Sequence, residues 1–148
     1  MSDIESPTPR SAGLRVLVMD DDRDYADTTA QLLHLWGHQP GVAYDGLQAL
    51  ALGRIFRPDV ALLDLAVPPM DGYQVARGLR AQLETQNTVL FAITGFASKK
   101  LKRRSRLKGF AQHLLKPVDP NVLQQLLSNI SSASDFPELS STPPPWRE

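Results

Sequence analysis

Three short apolar runs and one mixed run, each ending on or beside a polar residue, constrain the fold of this chain more than any other feature. They are "LRVLVMD" (14–20), "DVALLDL" (59–65), "TVLFAIT" (88–94) and "AQHLLK" (111–116). A run that is apolar at nearly every position needs cover on both faces, the pattern of a strand inside a parallel sheet. Longer stretches with helical spacing lie between the runs. From Asp24 to Trp36 the apolar positions are Ala26, Thr29, Leu32, Leu33 and Trp36, and Gly37 follows as a stop signal. "QPGVAY" (39–44) reads as a further short strand, and "GLQALALGRIF" (46–56) as a helix halted before Pro58. Residues 72–84 read as a helix with Val75, Ala76, Leu79 and Leu83 on one face, and Asp71-Gly72 as its turn and start. A basic helix is expected over 97–108. The last helix is "PNVLQQLLSNI" (120–130), with proline in the first turn, where a missing N–H costs least.

Five strands alternating with five helices predict an α/β fold, a doubly wound parallel sheet with helices on both faces. Such sheets place ligand sites at the carboxyl ends of their strands. The polar residues that end the runs therefore share one edge: Asp20 and Asp21, Asp64, Thr94 and Lys116. Three carboxylates crowded together ionise only if a cation compensates them. A few oxygen ligands suit Mg²⁺, which keeps several waters and is often completed by phosphate. Asp22 is read apart from this set, as the cap of the following helix, where the helix dipole favours a negative charge.

Composition adds limits. The chain has 148 residues, enough for one domain with tails, and its 16 acidic and 16 basic residues cancel. No global field draws it to nucleic acid or to a membrane. It has no cysteine, which rules out disulfides and thiolate metal sites. No apolar stretch reaches the roughly 20 residues of a membrane span. "MSDIESPTPRSAG" is polar and proline-bearing, unlike a signal peptide, so a cytoplasmic protein is expected. The expected organisation is a flexible arm over 1–13, a folded domain over 14–131 and a disordered Pro/Ser-rich tail over 132–148. Trp146, after three prolines, reads as a tail residue, with a docking aromatic as the alternative.

With these residues in order, the chain resembles the receiver domain of two-component response regulators. The resemblance spans about 14–130 and is carried by "VLVMDDDRD", "PDVALLDLAVPPMDGYQVARGLR", "AITGFAS" and "GFAQHLLKPVD". "GHQPGVAYDGLQAL" and "HLLKPVD" are similar to receivers attached to hybrid histidine kinases. The resemblance implies a flavodoxin-like (β/α)5 fold with strand order 2-1-3-4-5. It implies that Asp64 is the phosphoacceptor for a phosphohistidine, and that Asp21 binds Mg²⁺ with Asp20 assisting and the Ala66 carbonyl completing the ligands. It gives Thr94 and Lys116 to phosphoryl oxygens and a cis peptide bond to Pro117. The implied partners are a histidine kinase or histidine phosphotransfer protein and an unknown output protein. A phosphorylation-dependent homodimer through the fourth and fifth helices is left open.

The chemistry of the residues supports these roles. Carboxylates form phosphoenzymes, and phosphoryl transfer needs positioning and charge neutralisation above all. Phosphorylation brings about two negative charges to the strand edge. Thr94 can swing toward them with the loop that starts at Gly95, whose small size leaves room for the phosphoryl group. The switch is then a population shift between two loop arrangements.

The chain departs from the family pattern in places. His113 stands where the family carries a switching Phe or Tyr. It reads either as a half-buried ring or as a switch whose charge near neutral pH couples signalling to pH. Ala66 and Phe96 offer no polar help to an attacking water, so autodephosphorylation is expected to be slow. The segment "SKKLKRRSRLK" (98–108) has seven basic residues, Lys99, Lys100, Lys102, Arg103, Arg104, Arg106 and Lys108. It reads as a solvated helix face or as a docking face for an acidic partner. Direct nucleic-acid contact is the weakest reading, since no recognised DNA-binding module follows. His34 and His38 read as surface residues without metal-ligand company, and Trp36 as core or half-core.

Two rival readings fit parts of the sequence. Asp20-x-Asp22 after a buried strand is similar to the nucleophile motif of haloacid-dehalogenase-type phosphatases, but no later acidic pair follows and Asp64 is left without a role. A phosphorylation-independent receiver serving only as an interaction module is the other, and the presence of all five key side chains argues against it.

Overall fold

The computed structural model describes residues 13–66, 70–95 and 109–130. Among them are five strands: β1 (Arg15–Met19), β2 (Gln39–Ala43), β3 (Val60–Asp64), β4 (Val89–Thr94) and β5 (Gln112–Leu115). Four helices accompany them: α1 (Arg23–Leu35), α2 (Gly46–Phe56), α3 (Gly72–Ala81) and α4 (Pro120–Ser128). The expected arm up to residue 12, the tail with Trp146, Phe96, and the basic helix with Lys99, Lys100, Lys102, Arg103, Arg104 and Arg106 lie outside the described residues.

All four strand pairings are parallel, and the order is β2-β1-β3-β4-β5. That is the expected 2-1-3-4-5 arrangement. The continuous apolar runs divide by alternation, because successive side chains point to opposite faces. Val16, Val18, Val60, Leu62, Phe91 and Ile93 face a core with Ala26 and Leu33 of α1 and Leu123 and Leu127 of α4. Leu17, Met19, Ala61, Leu63, Leu90 and Ala92 face the other core, with Ala49 of α2 and Val75, Ala76 and Leu79 of α3.

Helix ends follow local chemistry. Asp22, Asp45, Asp71 and Asp119 each cap a helix N-terminus with a side-chain oxygen. Asp71 and Gln74 form a reciprocal capping box. Gly37, at φ 93°, takes the left-handed conformation that lets the chain leave α1. A Cβ at Gly72 would lie 2.8 Å from the Asp64 carbonyl oxygen, so only glycine lets α3 start this close to the end of β3.

Two expectations need correction. The third helix ends at Ala81, and Leu83 is 78% exposed and off its apolar face. The reason is the turn that follows. Gln82 is extended, and the buried Thr85 hydroxyl donates to the Leu79 carbonyl at 2.6 Å, replacing a further helical turn. His38 is half-buried rather than a surface residue. Its Nδ1 accepts a hydrogen bond from the Leu14 amide at 3.0 Å, fastening the chain just ahead of β1. His34 is exposed, and Trp36 is half-buried against the α1 side of the core.

Candidate phosphoryl-acceptor site

Parallel pairing brings the run-ending residues together. Met19 is in register with Leu63 and Asp64 with Ile93, so Asp20 and Asp64 emerge from neighbouring strand ends. Thr94 pairs with Leu115, and the Lys116 amide donates to the Thr94 carbonyl at 2.7 Å, which brings Lys116 to the same edge.

Carboxylate oxygens of Asp20, Asp21 and Asp64 lie within 4.8 Å of one another, a separation at which one small cation can contact all three. Asp20 and Asp64 are buried and Asp21 is exposed, so the cluster has a closed floor and an open side. Lys116 Nζ bridges the two buried carboxylates, at 2.8 Å from Asp20 Oδ2 and 3.0 Å from Asp64 Oδ2. The opposite oxygens are also used. The Asp22 amide donates to Asp20 Oδ1 at 3.0 Å, and the Ala66 amide to Asp64 Oδ1 at 2.9 Å.

Asp20 is only 3% exposed and borders a cavity of about 40 Å³ with Leu32, Leu62, Ile93 and Leu123 among its walls. Burial pushes the Asp20 carboxyl up to about 6. The Lys116 and Asp22 hydrogen bonds oppose that rise, and the charge of Asp64 adds to it. For Lys116, burial favours the neutral amine, but the hydrogen bonds to Asp20 and Asp64 outweigh it and hold the ammonium more strongly protonated than usual. Lys116 thus pairs with two of the three clustered carboxylates.

Thr94 is buried at the end of β4, and Gly95 beyond it is exposed. A Cβ at Gly95 would meet none of the described atoms within 4 Å. The Lys116–Pro117 bond is cis, as expected. His113 is half-buried on β5, in register with Ala92. The Ala66 side chain is an exposed methyl that offers no hydrogen bond.

The sequence reading missed one residue of this edge. Tyr25, in the first turn of α1, accepts a hydrogen bond from the Val118 amide at 3.1 Å, and its ring centroid lies 4.7 Å from Lys116 Nζ. Its spacing could have revealed it, because Tyr25 precedes Thr29, Leu32 and Trp36 on the inward stripe of that helix.

Residues 16–128 match the family model for the response regulator receiver domain. The chain is 38% identical over 109 residues to the DNA-binding response regulator MtrA of Mycobacterium tuberculosis, covering 74% of this chain and 46% of that protein. It therefore spans about half the length of the curated relatives of this kind. Among solved structures, chemotaxis protein CheY4 of Vibrio cholerae superimposes with a TM-score of 0.75 at 28% identity, over 80% of this chain and 99% of that one. The receiver domain of sensor histidine kinase PA1611 from Pseudomonas aeruginosa PAO1 gives a TM-score of 0.72 at 27% identity, over 80% and 98% of the two chains. That structure has a magnesium ion coordinated in its active-site cleft. No helix among the described residues is long and apolar enough to cross a membrane.

Proposed function

This chain belongs to the response regulator receiver family, and from that premise we propose that it is a phosphorelay switch whose acceptor is Asp64. The observation that carries the reading is the gathering of charge at one strand edge: three carboxylates within reach of one another, two of them, Asp20 and Asp64, bridged by Lys116.

Asp20, Asp21 and Asp64, with the Ala66 carbonyl, are the residues that would hold Mg²⁺. When bound, the ion supplies the positive charge that lets the carboxylates and incoming phosphoryl oxygens approach. An Asp64 carboxylate oxygen attacks the phosphorus of a phosphohistidine on a histidine kinase or phosphotransfer protein. The P–N bond breaks, the imidazole leaves, and an aspartyl phosphate remains. Lys116 then turns from a carboxylate pair to the phosphoryl oxygens, and the Thr94 hydroxyl donates to another of them. That movement carries the loop beginning at Gly95 and changes the face offered to an output protein. His113 is assigned to that switch, and the basic residues from Lys99 to Arg106 to the contact with an acidic partner.

The test is intact mass after incubation with Mg²⁺ and acetyl phosphate, for wild type and Asp64→Asn. A gain of about 80 Da that needs Mg²⁺ and is lost in the variant is expected. A gain retained in the variant overturns the choice of nucleophile. No gain in wild type, with this donor and with a phosphorylated histidine phosphotransfer protein, favours a phosphorylation-independent module. Because Ala66 offers no hydrogen bond to orient a water, the phosphoryl group should persist for minutes or longer. Following the decay of the mass gain checks this, and a half-life of seconds contradicts it.

A further inference from the structure

Lysine carries its charge on a flexible four-carbon stem, so an ammonium that must meet developing phosphoryl charge needs to be held. Strand β5 ends at Leu115, one residue before Lys116, and the strand itself cannot fix the ammonium. What surrounds the side chain is a closed circuit of contacts. The Asp22 amide donates to Asp20 Oδ1, and Asp22 Oδ1 accepts from the Tyr25 amide at 3.1 Å. The Tyr25 hydroxyl takes the Val118 amide, while its ring lies beside the Lys116 ammonium. Lys116 closes the circuit on Asp20 Oδ2. Tyr25 is the member that reaches from α1 to the segment that follows β5. It touches the residues on both sides of Pro117, one with its ring and one with its hydroxyl.

We propose that Tyr25 is a positioning residue for the phosphoryl transfer, fixing Lys116 over the acceptor carboxylate through a cation–π contact and the Val118 hydrogen bond. The inference rests on Asp64 being the acceptor. The two contacts have separable parts. The ring attracts the ammonium by its negative face. The hydroxyl anchors the backbone two residues further on, and so limits where the lysine stem can start.

The experiment compares the initial rate of mass gain on Asp64, with acetyl phosphate and saturating Mg²⁺, in wild type, Tyr25→Phe and Tyr25→Leu. Tyr25→Leu loses both contacts and should slow uptake roughly tenfold. Tyr25→Phe keeps the ring and should recover most of that loss, leaving about a two- to threefold deficit. A purely structural tyrosine would not discriminate in this way through Lys116, so both substitutions are repeated in a Lys116→Gln background. There, Tyr25→Leu should add nothing further. An additive loss, or equal rates for wild type and Tyr25→Leu, overturns the proposal.

A second readout needs no phosphate. The Lys116 ε-methylene protons should show an upfield ring-current shift in NMR spectra of wild type and Tyr25→Phe, and lose it in Tyr25→Leu. Absence of that shift in wild type overturns the contact itself, even if the leucine variant fails to fold. Wild type that takes no phosphoryl group on Asp64 removes the acceptor reading and this inference together. Normal uptake with an indifferent Tyr25 removes the inference alone.

Discussion

The two ends of the parallel sheet are both rich in polar side chains, and they use them in opposite ways. At the amino end, polar groups are matched to partners nearby. The Arg15 amide donates to Asp59 at 2.9 Å, and the Arg15 guanidinium donates to the Phe56 carbonyl and to Gln39 while stacking on the Phe56 ring. The Thr88 hydroxyl donates to the Pro58 carbonyl at 2.8 Å, and Arg80 to the Thr88 carbonyl. These contacts satisfy backbone groups that would otherwise be buried without partners. At the carboxyl end, Asp20, Asp21 and Asp64 cluster within reach of one another, and among the described residues Lys116 pairs with two of them, Asp20 and Asp64. Matched polarity there gives way to unbalanced charge, which is costly to the fold and useful to chemistry.

The contrast can be broken by substitution. The largest effect should come from Asp64→Asn, which is expected to abolish phosphoryl uptake and yet leave thermal stability unchanged or raised. It removes one of three crowded negative charges and leaves Lys116 paired with Asp20. Melting curves without Mg²⁺ check this, and a clear fall in Tm would mean that Asp64 supports the fold as the amino-end residues do. At the other end, Thr88→Val keeps the side-chain shape and removes the donor to Pro58. It should cost about 1–2 kcal/mol in denaturant unfolding while leaving the uptake rate unchanged. An uptake defect of the same size would show that the two ends are not separable.

The smallest effect concerns pH. Burial holds His38 below its ordinary pKa of 6.5, and its Nδ1 must be unprotonated to accept from the Leu14 amide. In the unfolded chain the imidazole takes a proton more readily. The stability it contributes is therefore fully present above pH 6.5 and lost as the pH falls through the lowered folded value. The difference in urea midpoint between wild type and His38→Gln should narrow from pH 7 to pH 5. A constant difference would return His38 to the surface role expected from the sequence.

Much of the architecture was legible because it is written in local periodicity. A continuous apolar run such as "VALLD" has one good use, a strand covered on both faces, and Val60 to Asp64 forms it. An aspartate ahead of an amphipathic stretch has one good use as well: Asp22 caps α1 as its position suggests, and Asp71 opens α3. Leu83 misled because its helical spacing persists beyond the point where Thr85 claims the Leu79 carbonyl. His38 misled because nothing near it in sequence tells that the Leu14 amide, 24 residues away, needs an acceptor.

Local residue pattern was enough to set the strands, the acid that ends each of two of them, and the edge on which Asp20, Asp21, Asp64, Thr94 and Lys116 gather. How they meet was left to packing. Lys116 lies 52 residues from Asp64, and Tyr25 lies 93 residues from Val118. Periodicity reports which face a residue uses, since that is set by the neighbouring backbone. It carries no information about which oxygen an ammonium bridges, or which ring lies beside it. Those choices arise when distant strand ends and a helix are packed at a few ångströms, where burial and charge act together.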